Sequence, residues 1–438
     1  MFRYYFMLGL RSLRRNPVLT SLMVLTLAVG VAAAISTLTI LHMMSGNPIP
    51  GKSDRLIVPL IDNGPLSRYT PGQMPDDNQL SYRDAVNFLQ SGQGVRRTAI
   101  FGIVGGIEPG RSDLGTVQVD GLATTSDYFP MFEVPFLHGG AWAAEQDKAT
   151  ANVVVLSRRM SEKIFGKENP VGRHIRMLNE DFEVVGVLGA WNPVPRYTHL
   201  INGNGGTMGG EDDIFIPFQT AIHLHLSNAG SMSCSGNVNP GYQGILDSEC
   251  TWIQFWFEMK SVAERASLQD YLDGYTHEQR RFSRLVRQNV NRLLDVMQWM
   301  GHLHVVSDDG PISTWLAFGF LLLCLVNTVG LLLAKFSVRA GEVGVRRALG
   351  ASRTEVFKQF LIEAAVVGLA GGVLGLALSS AALWFLGRQS ERYAALAHMD
   401  WSMLAATFVL AIAASILAGL LPTWRACQVT PALQLKSQ

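Results

Sequence analysis

Gly46-Asn47-Pro48-Ile49-Pro50-Gly51-Lys52-Ser53 matches the phosphate-loop pattern G-x-x-x-x-G-K-S letter for letter. Such a loop binds by pointing successive backbone N–H groups at phosphate oxygens, with a strand before it and a helix after it. Pro48 and Pro50 remove two of those donors. A long apolar run precedes the pattern, and the strand-like Leu56-Ile57-Val58 follows it. The segment therefore reads as a proline-stiffened helix exit, not as a nucleotide site. His223-x-His225 and His302-x-His304 each place two imidazoles on one face of an extended segment. Zinc wants a third and a fourth ligand, and neither pair has one at ligand spacing. The sequence has no G-x-S-x-G elbow, and no carboxylate pair stands out from the surface Asp and Glu. No catalytic residue, cofactor site or metal site is expected in this chain.

The elements that carry these residues follow from composition. Of 438 residues, 48% are hydrophobic and only 16% are charged. Soluble chains carry about 25% charge, so intrinsic disorder is excluded and an ordinary cytosolic enzyme is disfavoured. The net charge of +1 gives no reason to expect nucleic acid. It also hides an asymmetry: residues 45–312 hold 22 Lys+Arg against 30 Asp+Glu, and the remainder holds 14 against 5. An acidic block inside a basic, apolar frame points to membrane lipid.

Four uncharged runs, 17–44, 312–334, 364–387 and 401–424, make the frame. A helix needs roughly 20 residues to cross the ~30 Å hydrocarbon core, and each run is longer than that. Trp315, Trp384, Trp401 and Trp424 stand near run ends, where amphipathic rings favour the headgroup level. Basic residues collect before the first run, between the second and third, and after the fourth. The positive-inside rule puts both termini and the second connection in the cytoplasm, and 45–312 outside. The first run continues well past the small-residue site Ala32-Ala33-Ala34, so it reads as a retained anchor rather than a signal peptide. No ionisable residue stands inside the runs apart from His42 near an outer end, so an ion-coupled carrier is not expected.

Cys234 and Cys250 are the two cysteines placed outside, and in an oxidising compartment they are expected to pair. The block itself reads as α+β. Strands are expected at 55–61, 116–121, 152–156, 181–188, 213–217 and 252–259, and helices at 80–89 and 158–165. Strand 252–259 carries large apolar groups on both sides, so it is expected to be covered on both faces. Residues 265–299 read as one or two helices descending to the membrane, and 192–213 as a long flexible loop.

The segment from Arg339 to Phe357 carries the most information. Its first part forms a short surface helix that Gly350 ends. Ser352 and Glu355 make an S-x-x-E capping box that starts the helix of the third span. Glu342 and Arg346 lie four apart on one face.

This segment resembles the signature of the FtsX/MacB-type ABC transporter permeases, the mechanotransmission class. Further resemblance lies in Leu10 to Pro17, Tyr128-Phe129, Val153 to Ser157, Phe165-Gly166, Asn169 to Gly172, Val184 to Val187, Ile216-Pro217, Leu421 to Ala426 and Thr430 to Ala432. Their order covers nearly the whole chain. The expected fold is a membrane protein with four transmembrane α-helices and a large α+β periplasmic domain inserted between helices 1 and 2. The expected parts are a cytoplasmic amphipathic helix (1–16), spans at 17–44, 313–335, 361–387 and 401–424, and a periplasmic core (45–312). A coupling segment (336–360), a short periplasmic loop (388–400) and a cytoplasmic tail (425–438) complete them.

The resemblance implies a multi-pass bacterial inner-membrane subunit that works as half of a dimer, with an identical or paralogous second chain. No fused ATPase domain is seen, so ATP and Mg are expected on a separate cytoplasmic ABC ATPase subunit. Glu342, Val343, Val345, Arg346, Arg347, Leu349 and Gly350 would form the coupling helix docked on it. The function implied is export or efflux with a periplasmic adaptor and an outer-membrane channel. Lipoprotein release and signalling to a cell-wall hydrolase are the alternatives, and the 268-residue size of the block (45–312) favours export.

Overall fold

A computed structural model describes residues 16–75, 79–109, 115–201, 211–234, 236–305, 309–389 and 401–427. They fall into two compact units, one made of the long apolar helices and one covering Gly46–Val305. The chain enters the first unit through helix α1 (Pro17–Ser45).

The second unit is built on one mixed sheet. Its strands are β1 (Leu56–Leu60), β2 (Leu80–Ser81), β3 (Arg96–Glu108), β4 (Val117–Thr124), β5 (Phe136–Gly139), β6 (Val153–Leu156), β7 (His174–Met177), β8 (Glu180–Leu188), β9 (Ile214–Pro217), β10 (Thr251–Glu258) and β11 (Arg292–Asp295). The spatial order is β11-β1-β10-β3-β4-β9-β6-β8-β5, with β2 beside β10 and β7 between β3 and β8. Pairs β4–β9 and β6–β8 run parallel. Helices α2 (Tyr82–Gln90), α3 (Arg158–Phe165) and α4 (Arg265–Arg281) connect them. Ser81 and Ser157 accept from the backbone N–H three residues on, which fixes the starts of α2 and α3.

β10 is buried at all eight positions, as its two apolar sides require. Phe255 and Phe257 meet Phe88 of α2 on one face. On the other, Trp256 meets Phe132 and Tyr197.

One strand was not expected, and two expectations change. β3 is 13 residues long and pairs with β4 along eight of them, although its glycines hide it in the sequence. A Cβ at Gly105 would meet the end of the Leu178 side chain, so that side chain would have to move. Leu293 and Leu294 belong to β11, paired with Pro59 and Val58 of β1, and not to a descending helix. Only a short helix, Val296–His302, follows, capped by Asp295 and Gln298. Residues 196–200 are buried rather than a flexible loop, because Trp256 Nε1 donates to the Thr198 carbonyl at 3.1 Å and Arg196 pairs with Asp212. The Gly-rich stretch 202–210 lies outside the described residues.

The first unit continues with α5 (Asp309–Val338), α6 (Ala340–Ala348), α7 (Arg353–Gln389) and α8 (Trp401–Cys427). Pro17–Ser45, Ile312–Val338 and Arg353–Phe385 are long and apolar enough to cross a membrane, while the apolar part of α8, Val409–Arg425, is shorter. Ser36 of α1 and Ser379 of α7 share a hydrogen bond of 2.9 Å, a polar tie of the kind that joins helices in lipid. Leu22, Leu25, Trp315, Leu316 and Leu323 are exposed, as lipid-facing residues would be. The expected amphipathic helix at 1–16, most of the 388–400 loop and most of the 425–438 tail lie outside the described residues.

Candidate functional site

The phosphate-loop look-alike folds as a turn. Ser53 N donates to Ile49 O at 2.9 Å, and Asn47 Nδ2 donates to Ser53 Oγ at 2.8 Å. Lys52 Nζ donates to Pro130 O at 2.7 Å and lies 3.3 Å from Glu258 and 3.7 Å from Glu133. Its ammonium ties the turn to β10 rather than pointing into a phosphate cradle. The two histidine pairs are not on extended segments. His223 and His302 end short helices, and His225 and His304 adopt φ of +53° and +49°. His225 stacks on Tyr242 at 4.9 Å. Among the described residues no group of three or more His, Cys, Asp or Glu could hold a metal.

Cys234 and Cys250 are bonded to each other, and Cys250 is buried at the start of β10. Ser233 and Thr251 beside them exchange two backbone hydrogen bonds, of 3.0 and 2.8 Å. The loop between is thereby closed onto the sheet.

The coupling segment is the most organised of the sequence-derived sites. α6 ends with Gly350 N donating to Arg347 O and Ala351 N donating to Arg346 O, both at 3.1 Å. This is a Schellman cap, which requires a left-handed residue, and Gly350 has φ +101°. No atom lies within 4 Å of a Cβ built there, so the glycine serves conformation and not space. Two residues on, Ser352 Oγ accepts from Glu355 N and Glu355 Oε2 accepts from Ser352 N, both at 3.2 Å. The reciprocal pair starts α7, a rod of 37 residues and about 55 Å.

The named residues divide between two sides of α6. Val343 turns inward, 5% exposed, into a cluster with Leu332, Phe336, Val356 and Phe360. Val345 and Leu349 turn outward, 54% and 83% exposed. Arg346 Nη2 lies 2.6 Å from Glu342 Oε1, and Arg346 Nη1 donates to Gln359 on α7 at 3.0 Å. Arg347 is half-buried between the two sides.

Sequence reasoning missed a charge cluster in the helix unit. The helices outrun the uncharged runs, so Lys335 of α5 and Glu363 of α7 are buried in the helix unit, 2.8 Å apart. Each stands one residue beyond a run, where it read as a flank. Two apolar runs ending in opposite charges were the only signal.

A sequence profile of the MacB-like periplasmic core domain matches residues 20–274, and one of the FtsX-like permease C-terminal domain matches residues 315–431. The chain belongs to the MacB/FtsX-type permease family. Members of this family are ABC transporter permeases of the inner membrane with a periplasmic domain. Among relatives, the pyoverdine export ATP-binding/permease protein PvdT of Pseudomonas aeruginosa is 22% identical over 72% of this chain and 41% of its own length. The macrolide export ATP-binding/permease protein MacB of Wolinella succinogenes is 25% identical over 72% of this chain and 43% of its own. The chain thus spans less than half the length of these relatives. Of solved structures, the periplasmic region of MacB from Actinobacillus actinomycetemcomitans covers 58% of this chain and 95% of its own, with TM-score 0.36 and 14% identity. A permease domain from Porphyromonas gingivalis covers 55% of this chain and 87% of its own, with TM-score 0.35 and 13% identity. Both profiles found in this permease are of permease type; the relatives' names add an ATP-binding function.

Proposed function

We propose that this chain is the permease subunit of an ABC exporter that carries motion from a separate cytoplasmic ATPase to its periplasmic domain. Both termini face the cytoplasm, and the helix unit crosses the membrane four times. Two such chains, identical or paralogous, sit over two ATPase subunits that hold the ATP and Mg. A periplasmic adaptor and an outer-membrane channel take the substrate outward. The export names of the relatives support the direction of transport.

The observation that carries this reading is the α6–α7 elbow. An exposed apolar pair, Val345 and Leu349, stands on a helix whose other side is anchored by Val343. A Schellman stop and a capping box join that helix to a long rod. A partner that grips Val345, Leu349 and the Glu342–Arg346 pair would push on α7 directly.

The test is co-purification with the ATPase subunit and an export assay for Gly350→Val and Glu342→Lys. Forcing a Cβ into the left-handed region costs about 1–2 kcal/mol, enough to tilt α6. Membrane insertion is expected to stay unchanged, while ATPase binding or export falls roughly tenfold. Wild-type levels of both in both variants would sink the coupling-helix reading.

A further inference from the structure

The helix unit buries a charge cluster that the coupling contact itself does not use. Lys335 Nζ lies 2.8 Å from Glu363 Oε1, with side chains 0% and 3% exposed. Arg339 Nη1 reaches the same carboxylate at 3.0 and 3.1 Å. The rings of Phe336 and Phe360 meet at 4.4 Å between the same two helices. Charge so placed is costly unless paired, and removing one partner leaves the other stranded. Ionisable side chains inside membrane helices mark working parts.

The position of the cluster suggests its work. α6 and α7 are joined by the elbow at 349–352, and the caps there fix only the local backbone. Glu363 stands ten residues into α7, about 15 Å along the rod from Arg353. Lys335 and Arg339 stand at the end of α5, just before α6. The ion pairs therefore close a triangle whose sides are the end of α5, α6 and the base of α7. Arg346 with Gln359 makes a second tie between α6 and α7. The hydrophobic effect is non-directional; an ion pair adds a directional tie between the helices.

We propose that Lys335, Arg339 and Glu363 form an ionic latch that makes the end of α5, the short helix α6 and the base of α7 move as one lever. A push on α6 then displaces α7 instead of bending the elbow at Gly350. All three are positioning residues. Their purpose rests on the coupling reading, but the latch can be tested without the ATPase.

The experiment places nitroxide labels at Ser337→Cys and Lys358→Cys, both exposed, in the full chain in lipid nanodiscs, with Cys324 and Cys427 replaced by Ser. Pulsed dipolar spectroscopy reads the distance distribution between α5 and α7. The parent is expected to give one narrow distribution. Glu363→Gln should broaden it, and the exchange Lys335→Glu with Glu363→Lys should narrow it again, which a bulk packing role would not do. Lys335→Gln leaves Arg339 on Glu363, so it decides the matter with partial broadening if Glu363→Gln fails to insert. A parent-like narrow distribution in Glu363→Gln and Lys335→Gln overturns the latch and leaves the coupling reading standing. Broadening in a chain that binds no ATPase supports the latch and removes the coupling reading. With the ATPase subunit present, the variants should keep ATP hydrolysis while export falls several-fold.

Discussion

Lys52 shows why a residue pattern is not a site until its surroundings are known. Its ammonium is engaged by Pro130 O and two carboxylates, and one of these, Glu258, is 4% exposed. Arg96 holds the same Glu258 at 2.8 Å, so Lys52→Ala strands no bare charge. Loss of a hydrogen-bonded charge partner should cost about 1–3 kcal/mol, read as a lower unfolding midpoint. ATP hydrolysis by the assembled complex should be untouched; its loss with assembly intact would revive the phosphate-loop reading. Asp147 makes a pH prediction at the same scale. Burial pushes its carboxyl from 3.8 up to about 6, against the backbone N–H groups of Gln219 and Ser126 that lower it. Its folded-state pKa is thus above the unfolded one, so the fold favours the protonated acid. The associated stability is present below about pH 4 and is lost as pH rises through about 6, by on the order of 2–3 kcal/mol. Asp147→Asn should flatten that slope in unfolding midpoints taken from pH 4 to pH 7. An unchanged slope would refute the assignment.

Elements were legible where local chemistry decides them and hidden where distant partners do. The Cys234–Cys250 closure joins residues 16 apart in sequence to the start of β10. Opening a loop of that length by Cys250→Ala should lower stability by about 3 kcal/mol. Peptide mapping without reductant should find the linked pair, and two free thiols there would remove the basis of the prediction. Ser352, Glu355 and Gly350 were readable because caps are local: the residues that bond are three or five apart. β3 was not, because Gly102, Gly105 and Gly106 erase the strand signal, and the side chain that crowds Gly105, Leu178, is more than 70 residues downstream. Leu293 and Leu294 stand at helical spacing with Met297, yet pairing with β1 outweighs it for the two leucines. Lys335 and Glu363 were unreadable as a pair for the same cause: only the α5–α6–α7 fold-back brings them together.

At the scale of the whole molecule, the long apolar helices were the most legible part of the sequence, because the bilayer sets how long such runs must be. Their orientation is the last expectation to test. The 45–312 block is net acidic, and the connection from Lys335 to Lys358 is basic. A potential that retains positive loops on the cytoplasmic side would send the block outward and keep α6 within reach of an ATPase. Ser227 and Thr354 are exposed within their own units, so a cysteine at either is open to reagent on its own side. The background needs Cys324 and Cys427 replaced, since neither belongs to the disulfide. In intact spheroplasts a membrane-impermeant maleimide should label Ser227→Cys at once and Thr354→Cys only after permeabilisation. The reverse order would put α6 on the wrong side of the membrane for ATP and dismiss the coupling mechanism with it. Labelling of both in intact spheroplasts would mean that the α6–α7 elbow lies outside, which also dismisses the coupling mechanism.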